Sequence, residues 1–584
     1  MADQIDEIKN KIDIVSLINE YVPLTKAGRN YRANCPFHAE KTPSFMVSQE
    51  LQIFKCFGCS ESGDAFSFLQ KYEGMDFYEA LQFLAEKAGV TLKSEFQGKK
   101  SFKEKYYNIN LAAARFYHFI LLKHPLGQKA LDYLVKERGL SLETIKKFGL
   151  GFAPSGGTTL FSFLKTKHAF APEDLITAGL VVKRDSRFFD RFGGRVIFPI
   201  FDHRGHVIAL AGRIMPGAKE ELAKYINSPE TPVYSKSDVL FGLNFTKRDI
   251  KQLKRAVVVE GELDFLSAWQ AGVKNIVAIK GTALTQSQAT MLSRLVEEVH
   301  LALDQDAAGD AAARRGIAIA EGVGLAIKII KMGRFKDPDD FVKTDPEGFR
   351  ASVKTPVSVW DFLVELSFAK GDAKTGEGKR KISKELLPVL LAIQDKIVQA
   401  HYIEIAARKL GVSDEAILAE MRRQPSAEKK PEAEAVGRET KTRRELLEEN
   451  LLSLGFRFKP DLLKEKRIAK MMTTNLAQRL LTFFLEFSQK NDKFNPAAFR
   501  QFLPAELKTS FADMLLSLEE TSDLDKVEKE IANTILEIKT LGLKEDLTIQ
   551  GKIIKKAEET KDEQKLTKAQ ETFTELSKKL KALE

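Results

Sequence analysis

The sequence predicts a multidomain α/β protein, with a small metal-held ribbon at one end and an all-helical region at the other. Three observations carry this prediction. From residue 254 the texture alternates strand, helix, strand, helix: apolar runs AVVV (256–259), NIVAI (275–279), EVHLAL (298–303) and GLAIKII (324–330) are separated by stretches long enough for crossover helices, the rhythm of a small parallel sheet. All three cysteines, Cys35, Cys56 and Cys59, fall within twenty-five residues near the N-terminus. The chain has 584 residues, more than one hydrophobic core can use, so three or more domains are expected.

Composition narrows the class. Apolar residues make up 43% and charged residues 29%, ordinary globular values, and no run approaches the roughly 18 apolar residues that span a bilayer, so no membrane segment is expected. The opening stretch MADQIDEIKNKIDIVSLINEYV is acidic and amphipathic, with Ile5, Ile8, Ile12 and Val15 placed on one helical face, unlike a basic-then-apolar secretory signal. That points to the cytoplasm, and an odd cysteine count argues against a disulfide-stapled secreted protein. Net charge is +10, and residues 101–250 hold 23 Lys/Arg against 14 Asp/Glu. Nearly the whole excess therefore lies in one quarter of the chain, the footprint of a nucleic-acid-binding surface.

The expected domains follow in order. Residues 1–100 hold the cysteine window and the helical pattern GMDFYEALQFLAEKAGV, with Asp76 as N-cap, Leu81, Leu84 and Ala88 as apolar stripe and Gly89 as stop. After the linker QGKKSFKEK, residues 105–250 form a basic, mixed α+β segment in which DHRG turns a hairpin between RVIFPIF and HVIALAGR. Residues 251–342 form the parallel sheet, 345–423 are helical, and 424–444 are polar and charged enough to act as a flexible linker. Amphipathic helices fill 445–584. No internal repeat is present.

The cysteines are spaced as metal ligands. Cys35-x2-His38, seventeen residues, then Cys56-x2-Cys59 supplies two tight pairs, each able to reach one ion from a turn, and three thiolates with one imidazole suit tetrahedral zinc. Pro36 and Gly58 suit the sharp turns. The intervening SFMVSQELQIFKCF is expected to form a ribbon with little core of its own that needs the ion to fold. A redox pair at Cys56 and Cys59 would need a thioredoxin-like strand and helix around it, which the sequence lacks. Arg29, Tyr31, Arg32, Lys41, Phe45, Lys55 and Phe57 interleave basic and aromatic groups that can touch a single strand, although residues 1–100 carry 12 basic and 14 acidic side chains and no general positive field.

Carboxylates recur at the ends of the strands. VVVEGELDF places Glu260 after one strand and Asp264 in the next helix; LALDQDAAGD places Asp304, Asp306 and Asp310 after another; KDPDD supplies Asp337, Asp339 and Asp340. In a parallel sheet these positions gather at the carboxyl edge, where open α/β sheets place their sites. Crowded carboxylates repel unless cations neutralise them, and Mg²⁺ or Mn²⁺ suits hard oxygen ligands while binding phosphate on its open faces. Metal-dependent phosphoryl chemistry is the expectation for Glu260, Asp304 and Asp306. Asp310 reads as a helix cap and Asp340 equally well as a surface group.

CPFH…TPSF…KCFGC…GD resembles the zinc-binding domain of bacterial DnaG-type DNA primases, a zinc ribbon, and VVVEGELD, LDQDAAGD and DPDD are similar to the three acidic motifs of the Toprim fold. GGRVIFPIFDHRGHVIALAGR and AKYINSPETPVYSKSDVLFGL are similar to the basic motifs ahead of the Toprim segment in that family. The resemblance spans residues 1 to about 425; Leu263 and Gln305 depart from it locally and leave the acid spacing intact. It implies that Cys35, His38, Cys56 and Cys59 hold one structural zinc. It also implies that Asp304, Asp306 and Asp339 hold catalytic Mg²⁺ or Mn²⁺ with Asp264 and Asp337 close by, and that Glu260 is a metal-adjacent acid/base. Arg195, Arg213, Lys224, Asn227 and Lys236 are implied to hold nucleotide phosphates and template. The implied activity is RNA primer synthesis from NTPs on single-stranded DNA for chromosomal replication, by a monomer at the replication fork in the nucleoid, with residues 445–584 docking the replicative helicase. A Toprim nuclease or topoisomerase is the alternative, and none of the eleven tyrosines stands out as a cleavage nucleophile.

Overall fold

The computed structural model describes residues 2–583 apart from 39, 41, 93–101, 156, 218–222, 281–282, 304–310, 394, 424–440, 519–523 and 561. Its first unit opens with helices α1 (Ala2–Lys11) and α2 (Ile14–Asn19). The two are separate because Asp13 breaks the run: its carboxylate accepts from the Val15 and Ser16 N–H groups and caps α2. The run is therefore two helices and not one, yet the apolar face read from the sequence survives the break: Ile8, Ile12 and Val15 are buried in one core with Ile5 packed against it, and the Ile12 N–H donates to the Ile8 carbonyl at 3.0 Å. An antiparallel sheet of β1 (Thr25–Ala27), β2 (Asn30–Ala33), β3 (Phe45–Ser48), β4 (Ile53–Cys56) and β5 (Ser62–Gly63) follows in chain order. Helices α3 (Ala65–Tyr72) and α4 (Phe77–Ala88) complete the unit; Asp76 and Glu79 form a capping box at the start of α4, and Gly89 ends it in the left-handed region.

This unit has more core than the sequence suggested. Phe45, Phe54, Phe68, Leu69, Leu81 and Leu84 are buried with Ile8, Leu17 and Ile18, so the ribbon is roofed by all four helices. Apolar burial of that extent leaves the ion to fix the knuckles more than to drive collapse.

The basic segment opens with the helix Phe102–Lys123 and builds a second antiparallel sheet, ordered β11-β10-β9-β6 from β6 (Gly151–Ala153), β9 (Arg195–Phe201), β10 (Val207–Ile214) and β11 (Tyr225–Asn227). β7 (Val181–Arg184) and β8 (Arg187–Asp190) make a separate hairpin. The DHRG turn joins β9 to β10 as expected, with Asp202 accepting from the backbone N–H groups of Arg204 and His206.

The third sheet is ordered β13-β12-β14-β15-β16, with β12 (Arg255–Val259), β13 (Ile276–Ala278), β14 (Glu298–Ala302) and β15 (Ala326–Ile329) parallel and β16 (Val357–Ser358) antiparallel on the edge. Side chains alternate across it. Val257 and Val259 point into a core shared with Phe148 and Phe198 of the basic segment and with Phe265 of the helix Glu262–Gln270, whereas Val258, Leu301, Ile327 and Ile329 point into one shared with Trp360, Leu363, Leu386 and Leu390 of the helices beyond residue 358. Continuous apolar strands are what a sheet covered on both faces requires.

Beyond residue 440, helices including Arg443–Phe458, Asn475–Lys490, Ala505–Ser517 and the long Leu524–Thr560 form an all-α unit around Phe456, Phe484, Phe499 and Phe511. Leu51 and Ile53 of the first unit are buried in that same core, and Arg457–Glu50 (2.7 Å) and Lys55–Asp513 (3.2 Å) ion pairs flank the contact.

Gly242 starts the helix Leu243–Leu253 at φ 84°, and a Cβ there would overlap the Phe265 ring. Gly242→Ala combines a left-handed backbone with overpacking, so a loss of roughly 2 kcal/mol or more is expected. Thermal unfolding of the variant checks this; an unchanged midpoint would refute it.

Candidate active site and metal centre

The two cysteine pairs meet. One ligand atom each from Cys35, His38, Cys56 and Cys59 lies within 4.8 Å of the others. Cys35 Sγ is 3.8 Å from Cys59 Sγ, and Cys56 Sγ is 3.6 Å from His38 Nδ1. A tetrahedron with metal–sulfur bonds of ~2.3 Å has edges of roughly 3.8 Å, so the spacing suits one zinc ion. Gly58 makes room for it, because a Cβ there would overlap the His38 imidazole.

Sequence reasoning missed the residues that orient these ligands. Glu40 Oε2 lies 3.3 Å from His38 Nε2, which leaves Nδ1 facing the cysteines, and Glu40 Oε1 accepts from the Cys35 N–H (2.6 Å) and the Ser44 N–H (3.0 Å). Ser44 Oγ donates to Glu40 and lies 3.1 Å from Cys56 Sγ. A carboxylate behind a metal-bound imidazole fixes its tautomer and ring orientation. Burial pushes the Cys35 and Cys59 thiols up, Cys59 to about 11; burial opposes ionisation at Cys56 too, yet hydrogen bonds from Ser44 and the Cys59 N–H hold that thiol below its ordinary value. Cys56 is the thiol best prepared to bind as thiolate.

The predicted stacking surface of this unit is largely spent elsewhere. Phe45 is fully buried in the core, Lys55 pairs with Asp513, and Phe57 packs against the C-terminal helices. Lys41 lies outside the described residues.

The carboxylates form the second site. Glu260 follows β12, Asp264 lies in the first turn of the helix Glu262–Gln270, and Asp337 and Asp339 start the helix Pro338–Thr344; all four line one cavity of about 510 Å³. Asp264 Oδ1 accepts from the Asp339 N–H at 3.2 Å, tying two of the acidic motifs together. Asp339 is buried and engaged: Arg138 Nη1 (3.1 Å) and Lys343 Nζ (2.7 Å) contact Oδ2, and the Ser267 hydroxyl donates to Oδ1. Asp304, Asp306, Gln305 and Asp310 lie outside the described residues. The described donors are all hard oxygens, the kind Mg²⁺ takes.

Arg213, Lys224, Tyr225 and Asn227 line the opposite wall. β10–β11 pairing sets Arg213 directly across from Tyr225, and its Nη1 donates to the Tyr225 hydroxyl at 2.5 Å. Burial pushes the Tyr225 phenol up to about 12, so it stays protonated. Two expected phosphate contacts fall elsewhere. Arg195 is buried, with Nη1 donating to the Gly212 and Lys224 carbonyls at 3.3 and 3.4 Å, so its guanidinium holds β10 and β11 together and does not line the cavity. Lys236 is exposed and also outside the lining. The sequence did not single out Arg138, Glu262, Lys280 or Lys336, which do line it. The signal for Lys280 was present: it follows a strand end, as the acids do.

A parallel sheet edged with carboxylates, faced by a basic wall and accompanied by a four-ligand zinc centre, defines a metal-dependent enzyme of nucleic-acid synthesis. The chain matches the family descriptions CHC2 zinc finger over residues 1–100, DNA primase catalytic core N-terminal domain over 116–247, Toprim-like over 257–342 and DnaB-helicase binding domain of primase over 361–415. It is 40% identical to the DNA primase of Clostridium acetobutylicum over 423 residues, covering 71% of this chain and 69% of that one. With the DNA primase of Geobacillus stearothermophilus it is 33% identical over 540 residues, 88% of each. The chain belongs to the bacterial DnaG-type DNA primase family. It is an RNA-primer-synthesising nucleotidyltransferase with a zinc centre at the Cys/His cluster and magnesium as its catalytic metal; the nuclease or topoisomerase alternative is not favoured. The helicase-binding match lies in the helices expected to complete the core, not in 445–584.

Replacing Glu40 by Ala removes the partner of His38 Nε2 and of the Cys35 N–H while leaving every zinc ligand in place. Zinc affinity measured by competition with a chromophoric chelator is expected to fall about 10- to 100-fold, and unchanged affinity would show that Glu40 does not orient the site.

Proposed function

We propose that the cavity between the acid edge and the basic wall holds the primer terminus and the incoming NTP. The primer 3′-oxygen attacks the α-phosphorus, its proton passes to Glu260, the Pα–O–Pβ bond breaks, and pyrophosphate leaves. The observation that favours this reading is that Glu260, Asp264, Asp337 and Asp339 share one cavity with Arg213 and Lys224. When bound, magnesium lowers the pKa of the attacking hydroxyl and neutralises charge on the attacked phosphate. Arg213 and Lys224 hold phosphates and add to that stabilisation. Tyr225, protonated and anchored by Arg213, offers a neutral donor beside them. Initiation without a primer requires two nucleotides held together, so positioning by this wall supplies much of the rate. Asp304 and Asp306 are assigned to magnesium. Single-stranded DNA is the template, and the zinc unit, tethered to the core, grips it at high effective concentration. The enzyme acts as a cytoplasmic monomer at the replication fork.

We assign helicase docking to residues 445–584. Leu446, Leu536, Ile549, Ile553 and Phe573 are exposed there; the 361–415 helices also expose Leu391, Ile397, Val398 and Val412, but they commit Leu363, Leu386, Leu390 and Tyr402 to a core shared with the sheet. A chain ending at residue 440 is expected to lose co-purification with the replicative helicase while keeping primer synthesis. Retained binding would place docking in 361–415.

Glu260→Gln, Asp304→Asn and Asp306→Asn are each expected to lower ribonucleotide incorporation on single-stranded DNA with Mg²⁺ by about 10²- to 10⁴-fold. Undiminished synthesis by any one of them would remove that residue from the chemistry.

A further inference from the structure

Two charged residues of the cavity wall have no place in the reading above. Glu262 and Lys280 are buried there, with side-chain exposures of 6% and 3%, and Lys280 Nζ lies 2.6 Å from Glu262 Oε1. Glu262 can engage at most one of the three ammonium N–H groups, and among the described residues no other acceptor is placed for the remaining two. The backbone dictates where it sits. Lys280 follows β13 at the carboxyl edge, and its N–H donates to the Glu260 carbonyl at 3.0 Å, which seats it beside the acidic motif. It adopts φ 54°, a left-handed conformation that an L side chain rarely takes. Position, burial and backbone strain all tend against a lysine here. A buried pair kept for packing alone is commonly replaced by apolar residues at no loss of stability.

A ligand that brings its own acceptors makes sense of the arrangement. The wall already presents Arg213 and Lys224, and Lys236 lies near enough for its charge to oppose that of Lys280. Cations gathered in this way await a polyanion, and a compact ammonium with unspent donors suits phosphate oxygens. We infer that Lys280 binds the phosphate chain of the incoming nucleoside triphosphate, and that Glu262 holds the ammonium at the cavity wall until the nucleotide arrives. The inference rests on the nucleotidyl-transfer reading of this cavity.

The test is steady-state primer synthesis by the full chain, with KM for NTP and kcat resolved, alongside thermal unfolding. Incorporation by the unaltered protein is the control for the underlying reading; its absence would sink that reading, whereas the variants address Lys280. Lys280→Met is expected to raise KM for NTP about tenfold or more with a smaller change in kcat, the signature of lost ground-state binding. Lys280→Arg keeps the charge and is expected to recover part of that loss. The double variant Glu262→Leu, Lys280→Met leaves no unpaired buried charge, so it keeps a folded protein available even if the single variant unfolds. It is expected to melt near the unaltered protein yet retain the raised KM. Normal KM in the double variant would show that the pair is structural and overturn the inference, as would a loss confined to kcat.

Discussion

The structure is organised around the mutual repulsion of carboxylates at one edge of a parallel sheet. Parallel topology delivers every strand end to the same side, so acidic residues that follow β12 and β15 cannot avoid one another. Two unit charges 4 Å apart cost about 4 kcal/mol at an effective dielectric constant near 20. Cations arrive from three directions to offset this: Arg138 and Lys343 on Asp339, Lys280 on Glu262, and Arg213 with Lys224 across the cavity. Magnesium completes what the protein begins. Part of the basic excess of residues 101–250, Arg138, Arg213 and Lys224, is therefore a structural counterpart of the acid edge.

That counterpart is held in place by strand alternation. Because Val257 and Val259 face one way and Val258 the other, β12 bonds the basic segment to one face and the helices beyond residue 358 to the opposite face. The wall bearing Arg213 and Tyr225 is thus positioned by the same strand that ends at Glu260. Arg195, buried between β10 and β11 carbonyls, stiffens that wall from behind. Its charge serves geometry, and the guanidinium that lines the cavity is Arg213, one register step away, across the sheet from Val196.

Features encoded over a few residues were legible in the sequence. The two Cys/His pairs, the four apolar strands, the β9–β10 turn and the N-cap at Asp76 each depend on neighbours close in the chain, and each is found as expected. What escaped depends on groups brought from far away. Lys280 gains its role only when β13 packs beside β12, and Arg138 only when a residue 201 positions from Asp339 reaches the sheet edge; Glu40 is the exception, a local signal within five residues of Cys35, His38 and Ser44 that the Cys/His spacing alone does not flag. Phe45 shows the converse error. Basic and aromatic interleaving resembles a stacking surface, but alternation on β3 turns that ring inward, where it stacks on Phe54 at a centroid distance of 5.3 Å. Composition along a strand does not say which face is wet.

The zinc centre is coupled to the core by the same long-range logic. Arg294, at the end of the helix Gln286–Ser293, donates from Nε to the Pro36 carbonyl at 2.8 Å and lays its guanidinium over the Tyr72 ring. Pro36 lies between Cys35 and His38, so zinc held by those two residues would fix the turn that presents this carbonyl to Arg294. A second contact, His203 with Glu73 at 2.6 Å, joins the β9–β10 turn to the end of α3. With Phe45, Phe54 and Phe68 already supplying a core for the ribbon, the ion's contribution would be to the shape of the turn by which the ribbon meets the sheet domain. The cysteine window and the sheet domain, more than two hundred residues apart in sequence, thus meet at a knuckle carbonyl and an arginine that follows a sheet-domain helix.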